Sequence, residues 1–191
     1  MKIVTEVNVY ESLAELSEED RELVDAAKRV AANAYAPYSH FHVGAAIRMD
    51  NGEIVTGANQ ENAAFPAGTC AERSACFHAG ARWPGMPLRK IAVAAATETP
   101  EPSTPSTPST PPTPSTLSDP SAQLPTNHLS PLASRLSYQK KPISPCGICR
   151  QALLEFETRQ GAPIEVLLYG TERIYALPSV ASLLPLAFAD F

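Results

Sequence analysis

Three cysteines and one glutamate in this sequence have the types and spacing of a metal site with an acid–base group beside it. Cys146 and Cys149 stand in P-C-G-I-C, and Cys70 precedes Glu72 by two places in C-A-E. Two cysteines three apart at the start of a helix can put both sulfurs within reach of one ion. A C-x-x-C alone also fits a redox pair or two core thiols. Cys70 with Glu72 favours the metal site.

The chemistry open to this set is metal-assisted hydrolysis. Three protein ligands leave the fourth position of Zn²⁺ free for a water, whose pKa zinc lowers to about 7. A Cys or His, a nearby unligated Glu and a P-C-x-x-C are together typical of the zinc deaminases. In that chemistry Glu72 would stay unligated, take the water's proton, give it to the ring nitrogen beside the attacked carbon, and later protonate the departing ammonia.

The charge of such a site needs compensation, because three thiolates on one Zn²⁺ leave a net charge of −1. The N-termini of the two helices carry partial positive charge toward the sulfurs. Arg73 follows Glu72 directly, and we predict that it hydrogen-bonds the thiolates. The alternative is a surface arginine in an ordinary salt bridge.

The fourth cysteine and the histidines do not fit this metal site. Cys76 lies six residues after Cys70 in an apolar run, so we interpret it as a small buried hydrophobe. The four histidines share no ligand spacing with one another or with the cysteines; they are His40, His42, His78 and His128.

Periodicity and turn residues predict the elements that must position these side chains. Residues 18–34 carry apolar side chains at helical spacing after Ser17, an N-cap residue with Asp20 three places on. Residues 41–49 and 53–58 flank an Asn-Gly pair, which predicts a β-hairpin.

The second half of the pattern alternates helices and strands. Residues 69–81 predict a helix capped by Thr69, and the apolar run 91–96 predicts a strand covered on both faces. The remaining predictions are a helix from about Cys146 to Gly161, strands at 164–169 and 172–177, and a short helix at about 178–184. This order favours a single mixed sheet with helices on its faces.

One segment differs in composition from the rest of the chain. Ten of the 19 prolines fall between Pro100 and Pro131, and much of this stretch contains only Pro, Ser and Thr. Such a segment cannot offset an ordering entropy of roughly 1 to 2 kcal/mol per residue. We therefore predict one domain, made of residues 1–96 and 142–191, with a disordered low-complexity insertion at 97–141.

Length and charge exclude several classes of protein. A chain of 191 residues with one insertion allows one compact core. A net charge of −5 argues against nucleic acid as a partner. No apolar run is long enough for a membrane span, and the N-terminus lacks the apolar core of a signal peptide. We expect a cytoplasmic protein whose cysteines serve a metal rather than disulfides.

Four longer motifs give the sequence a close resemblance to the small cytidine deaminases. They are YAPYSHFHVGAAI (35–47), GANQENAAFPAGTCAERSA (57–75), SPCGICRQALLEF (144–156) and LLPLAF (183–188). The resemblance implies a three-layer α/β/α fold with a mixed five-stranded sheet. It also implies zinc-dependent hydrolysis of cytidine and deoxycytidine in pyrimidine salvage, with Cys70, Cys146 and Cys149 as ligands and Glu72 as the proton shuttle.

The same resemblance assigns substrate contacts and an assembly. Asn59 and Glu61 match a pair that hydrogen-bonds the ribose hydroxyl, and Phe41 matches an aromatic that packs on the pyrimidine ring. Phe188 resembles an aromatic that stacks on a base held by a neighbouring subunit of tetrameric members. Cys at position 70 also resembles the homotetrameric branch. The implied partner is a small nucleoside, and free cytosine should be a poor substrate.

Two other functions and three interpretations of the insertion stay open. The chain could act on another amino-pyrimidine, or it could be a non-catalytic zinc-binding scaffold; Glu72 counts against the scaffold, which has no use for it. The insertion could be a passive loop, a segment phosphorylated at motifs such as Thr99-Pro100, or an artefact of sequence assembly.

Overall fold

A computed structural model describes residues 2–99 and 131–189 of the chain. The helices in these ranges are α1 (Glu18–Ala31), α2 (Ala71–Arg82) and α3 (Gly147–Gln160). The strands are β1 (Asn8–Tyr10), β2 (Phe41–Met49), β3 (Ile54–Ala58), β4 (Leu88–Glu98), β5 (Leu136–Tyr138), β6 (Glu165–Tyr169) and β7 (Ile174–Leu177). Short 3₁₀ helices lie at Leu13–Glu15, Phe65–Ala67, Pro131–Arg135 and Val180–Leu183.

The strands form one mixed sheet in the order β1-β7-β6-β4-β2-β3, and β5 pairs with β4 off this path. Only β4 and β6 run parallel; the other neighbours are antiparallel. The five predicted strands are confirmed. β1 and β5 were not predicted, because three residues are too few to show an alternating pattern.

Helices cover both faces of the sheet, which confirms the predicted three-layer α/β/α fold. α1 packs with Ala46, Ala92 and Ala94 on one face, whereas α2 and α3 pack with residues such as Ile47 and Val93 on the other. The confirmed N-cap of α1 is Ser17, whose hydroxyl accepts from the backbone N–H of Asp20 at 3.1 Å.

A glycine in β3 lets the second helix approach the sheet closely. A Cβ at Gly57 would lie only 2.5 Å from the backbone nitrogen of Ala75. This contact brings α2 against the end of the hairpin, and α2 begins directly after Cys70. The position of the first metal-site cysteine therefore depends on a residue without a side chain.

The predicted cap of α2 is wrong by one residue. The N-cap position belongs to Cys70 rather than Thr69. The backbones of Thr69 and Gln60 exchange two hydrogen bonds of 2.9 Å each, so Thr69 belongs to a β-bridge before the helix begins. Cys70 makes no side-chain capping hydrogen bond, which leaves its sulfur available to a ligand.

Part of the predicted insertion belongs to the sheet. β4 continues to Glu98, and β5 returns beside it with Leu136 opposite Glu98 and Tyr138 opposite Ala96. The backbone N–H of Thr99 donates to the carbonyl of Arg135 at 2.8 Å. Residues 100–130, which carry most of the predicted low-complexity segment and His128, lie outside the described residues. In the described ranges, no helix has the length and apolarity needed to cross a membrane.

Candidate metal centre

Two helix N-termini bring the three predicted ligands together. Cys70 is the N-cap of α2, Cys146 is the N-cap of α3, and Cys149 lies in the first turn of α3. The three sulfur atoms lie within 4.8 Å of one another, and the Sγ atoms of Cys146 and Cys149 are 3.6 Å apart. Both helix N-termini direct partial positive charge toward the thiolates.

The three sulfurs have the chemistry and spacing that Zn²⁺ needs. Tetrahedral ligands at a Zn–S distance of about 2.3 Å lie about 3.8 Å apart, and the sulfur separations found here require little adjustment to reach that value. Cys70, Cys146 and Cys149 are free thiols, as is Cys76. No other group of three His, Cys, Asp or Glu residues in the described chain could hold a metal ion.

The thiols of Cys70 and Cys149 influence each other's ionisation. The pKa of Cys70 is lowered to about 5, chiefly by a hydrogen bond from Cys149, with Arg73 and Cys146 contributing and burial opposing. The same hydrogen bond to Cys70, together with burial, raises the pKa of Cys149. The pair therefore readily loses one proton and retains the second, which a bound cation would displace.

Arg73 lies beside the sulfurs and is partly buried. Burial tends to lower the pKa of its guanidinium, but hydrogen bonding to Cys70 and the charges of Cys70 and Cys149 raise the pKa overall. Its Nη2 donates to the carbonyl of Gly68 at 3.4 Å. Its Nε is buried and has no hydrogen-bond partner among the described residues. Arg73 thus lies beside the sulfurs, and its role toward the thiolates stays a prediction.

Glu72 lies in the first turn of α2 with only 4% of its surface exposed. Burial raises the pKa of its carboxyl group, and the nearby charge of Cys70 adds to the increase. A raised pKa favours the protonated form of a carboxyl group, which suits it to accept a proton and pass it on. Glu72 lies beside the sulfurs and is not part of the three-sulfur group; its role as proton shuttle stays a prediction.

A cavity of about 460 Å³ opens onto this group. Its lining includes six residues that the sequence analysis named: Phe41, Asn59, Glu61, Cys70, Glu72 and Cys146. It also includes six that the sequence analysis missed: Ser39, Val43, Ala71, Val93, Ile143 and Ser144. The volume suits a small molecule of nucleoside size. The apolar residues among these could not be predicted, because a side chain that lines a cavity and one that packs in the core give the same sequence pattern.

The side-chain amide of Asn59 is held by the backbone of β2. Its Oδ1 accepts from the N–H of Val43 at 2.7 Å, and its Nδ2 donates to the carbonyl of Phe41 at 3.0 Å. A side-chain amide has two N–H donors and two lone pairs, so each end keeps capacity for one more hydrogen bond. Asn59 therefore orients the strand that carries Phe41 and still presents polar atoms to the cavity.

Glu61 is held by the loop before β2. Its carboxylate accepts from the backbone N–H groups of Tyr38 at 3.0 Å and Ser39 at 3.2 Å, and from the Ser39 hydroxyl. These hydrogen bonds, led by that of the Ser39 hydroxyl, lower the pKa of Glu61. The carboxylate is thus an ionised acceptor at the cavity edge. Ser39, which fixes it, was not predicted.

Phe188 lies apart from this cavity. Its side chain is 72% exposed, and its backbone carbonyl accepts from the Nε2 of Gln151 on α3 at 2.8 Å. It is not among the residues that line this cavity. The contact of Phe188 with a substrate stays a prediction.

Comparison with known proteins identifies relatives over most of the chain. The protein-family model named cytidine and deoxycytidylate deaminase zinc-binding region matches residues 17–105. A cytidine deaminase from Sporosarcina psychrophila is 31% identical over 170 residues, which cover 87% of this chain and 89% of that protein. One from Halalkalibacterium halodurans is 42% identical over 80 residues, which cover 42% of this chain and 60% of that protein.

A solved structure is similar to this chain over a comparable share of its length. The crystal structure of cytidine deaminase from Burkholderia pseudomallei has a TM-score of 0.59 at 31% identity, covering 91% of this chain and 100% of that one. The match to the zinc-binding region contains Cys70 and Glu72 but ends before Cys146 and Cys149. Cys146 and Cys149 join Cys70 in a group that could hold a metal through the geometry of the three sulfurs.

Proposed function

The chain belongs to the cytidine deaminase family, and from this premise we propose how its residues hydrolyse cytidine and 2′-deoxycytidine to uridine or 2′-deoxyuridine and ammonia. One observation carries the proposal. Glu72 is a buried carboxyl group, is not part of the three-sulfur group, and faces the same cavity as Cys70 and Cys146. A structural metal site has no need of such a neighbour.

Cys70, Cys146 and Cys149 are the proposed zinc ligands. Zn²⁺ bound by three protein ligands supplies Lewis acidity and an acidified water at its open position. The thiolate set is negative, and the two helix N-termini together with Arg73 offset that charge. The support for Arg73 is its place beside Cys70 and Cys149 and the raised pKa that these sulfurs give it.

Glu72 carries the protons of the reaction. Its carboxylate accepts a proton from the attacking water and delivers it to N3 of the pyrimidine, as the new C4–O bond forms. It then moves the second proton of the water to the 4-amino group, and the C4–N bond breaks to release ammonia. Burial raises the pKa of Glu72, which favours the protonated carboxyl group that must act as the donor in each transfer.

Phe41, Asn59 and Glu61 are the proposed nucleoside contacts. The ring of Phe41 would pack on the pyrimidine. The internal hydrogen bonds of Asn59 and Glu61 leave donor or acceptor positions on both side chains unused, and these would bind a ribose hydroxyl. A ligand without the sugar would leave these polar groups unpaired, which costs about 1 to 3 kcal/mol per group. Free cytosine should therefore be a much poorer substrate than cytidine.

We also propose a homotetramer in which Phe188 contacts the base in a neighbouring subunit. Several large apolar side chains are exposed in the single chain; they include Phe65 (78%), Ile148 (65%), Leu186 (83%) and Phe188 (72%). Exposed apolar groups of this kind favour association with another surface. Sedimentation equilibrium of the zinc-loaded protein tests this assembly, and a monomer that retains full activity contradicts it.

The proposed setting is nucleoside salvage in the cytoplasm. The support is chemical, because three ligands must remain reduced thiols to bind zinc, and thiols persist in a reducing compartment. The product of the reaction is a free nucleoside, which suits a salvage step. Fractionation of the native host cells tests the location, and activity confined to a secreted fraction contradicts it.

The decisive experiment is a spectrophotometric assay of the zinc-loaded chain with cytidine, 2′-deoxycytidine and cytosine. We expect turnover of both nucleosides, little turnover of cytosine, and loss of activity in Glu72→Ala with zinc retained. Turnover of another amino-pyrimidine in place of cytidine would indicate a different substrate. Zinc binding without any turnover would indicate a non-catalytic site and overturn the proposal.

A further inference from the structure

Arg150 makes three hydrogen bonds with one guanidinium group in the first turn of α3, next to Cys149. Its Nε donates to the carbonyl of Pro145 at 2.7 Å, and its Nη2 donates to the hydroxyl of Ser144 at 3.0 Å. Its Nη1 donates to the carbonyl of Leu183 at 2.9 Å. The first two partners precede the metal-site helix, and the third belongs to the C-terminal segment.

Two of these partners adjoin the reaction cavity. Ser144 and Cys146 line it, and Pro145 lies buried between them. Cys146 has extended backbone angles and lies at the N-cap, outside the regular part of α3. The carbonyl of Cys146 accepts a helical hydrogen bond from the backbone N–H of Arg150 at 3.0 Å. The side chain of Arg150 adds two bonds that hold the preceding Pro145 and Ser144.

The third partner is itself fixed. Glu157 of α3 accepts from the backbone N–H groups of Val180 at 2.8 Å and Ala181 at 3.1 Å. Gln151 donates to the carbonyl of Phe188 at 2.8 Å. The C-terminal segment is thus held to α3 on both sides of Leu183, so it gives Arg150 a firm anchor rather than a loose contact.

We propose that Arg150 is a positioning residue for the deamination, which holds the 144–146 loop so that the Cys146 sulfur and the Ser144 wall keep their places in the cavity. This inference rests on the proposed function of the same site. The planar guanidinium has donors at fixed angles, so it joins three acceptors at once. A lysine at this position would keep the charge but offers a single ammonium on a flexible stem.

The test compares Arg150→Lys with Arg89→Lys in the full-length chain. Arg89 is an exposed arginine paired with Asp50, and it lies outside the residues that line the cavity. For Arg150→Lys we expect zinc affinity to fall by about tenfold to 100-fold, as for other residues that orient metal ligands. We also expect a rise in KM for cytidine and a changed thiolate-to-metal absorption band in the Co²⁺-substituted protein. Arg89→Lys should match the wild type in all three.

Ser144→Ala is the second variant, for use if Arg150→Lys does not fold. It removes only the Nη2 contact and should still shift the Co²⁺ spectrum and raise KM. Unchanged Co²⁺ spectra and zinc affinity in the folded Arg150→Lys protein, or an unchanged Ser144→Ala protein in its place, would overturn the proposal. If wild type fails to turn over cytidine, the proposed function fails, yet the Co²⁺ spectrum and zinc affinity still report on Arg150.

Discussion

The side-chain nitrogen of Asn59 donates a hydrogen bond of 3.0 Å to the backbone carbonyl of Phe41. The amide oxygen of the same side chain accepts from the N–H of Val43 at 2.7 Å. The residue proposed to bind the sugar therefore also fixes the strand whose aromatic ring would face the base. Substrate binding and local stability at this end of β2 depend on one amide.

Asn59→Asp tests whether Asn59 contributes both to the stability of β2 and to substrate binding. The carboxylate cannot donate to the carbonyl of Phe41 and would be repelled by it, so we expect the free energy of unfolding to fall by about 1 to 3 kcal/mol. We expect KM for cytidine to rise as well. Urea denaturation and steady-state kinetics measure the two effects. Asn51→Asp is the control, because it makes the same change at an exposed turn residue whose side-chain oxygen accepts from the N–H of Glu53, a role that a carboxylate keeps. An equal loss in both variants contradicts the dual role.

Arg73→Gln tests the electrostatic role of the arginine beside the sulfurs. Arg73 helps to lower the pKa of Cys70, so its loss should raise that pKa. Zinc binding, which needs the thiolate, should then require a higher pH. We expect zinc affinity at neutral pH to fall about tenfold to 100-fold, measured by competition with a chromophoric chelator from pH 6 to 9.

The control for this variant is Arg82→Gln on the same helix. The guanidinium of Arg82 lies over the ring of Trp83, 4.6 Å from its centroid, and outside the metal group. An Arg73→Gln protein with the zinc affinity and pH dependence of Arg82→Gln would show that Arg73 does not stabilise the thiolates.

Two deletions test where the insertion ends. Removal of residues 101–130 should leave zinc content and activity unchanged, because it spares β4 and β5. Removal of 97–141 should lower the melting temperature by roughly 5 to 10 °C, because it removes buried contacts and hydrogen bonds of β5. One of these is the 2.6 Å bond from the hydroxyl of Tyr138 to the carbonyl of Lys28.

Differential scanning calorimetry measures both deletions, and Tyr138→Phe in the full chain isolates that single hydroxyl bond. Equal melting temperatures for the two deletion proteins would show that β5 does not stabilise the sheet. Loss of activity in the 101–130 deletion would instead assign a function to the removed segment.

The residues that could carry out the reaction were easier to predict from the sequence than the residues that hold them in place. The cysteines and Glu72 are identifiable because each residue type has a chemical reason at its spacing. Five strands and the three main helices were identifiable because their periodicity extends over several residues. The same reasoning named Asn59 and Glu61 only through the resemblance, since their internal hydrogen bonds depend on loops that meet only after folding.

The elements that were missed have weak local signals. β5 lies at the end of a stretch whose composition predicts disorder, and its pairing with β4 is a tertiary contact that composition does not report. Thr69 has a side chain that often caps helices, but its backbone N–H and carbonyl are both hydrogen-bonded to the backbone of Gln60. Arg150 and Ser144 are close only because the helix N-terminus folds back on its own loop. The errors at β5 and Thr69 are local preferences overridden by contacts with another segment, whereas the bond between Arg150 and Ser144 depends on the conformation of one loop.

Thiol labelling distinguishes the metal-site cysteines from Cys76. Burial raises the pKa of Cys76 to about 12, and its side chain is fully buried. Cys70, in contrast, has its pKa lowered to about 5, and Cys146 is exposed. Because the thiolate is the reactive form, iodoacetamide at pH 7.5 should label Cys70 and Cys146 once a chelator has removed zinc, and should spare Cys76.

Peptide mass spectrometry after a timed labelling pulse measures this order. The zinc-loaded protein should be protected at Cys70, Cys146 and Cys149, because a coordinated thiolate is a poor nucleophile, and adding zinc back after chelation should restore that protection. Cys76 should react only after denaturation in both samples, and Cys76→Ala should leave the labelling of the other three unchanged. Rapid labelling of Cys76 in the native protein, or labelling of Cys70 and Cys146 that zinc does not slow, would contradict the assignment of three ligands and one core thiol.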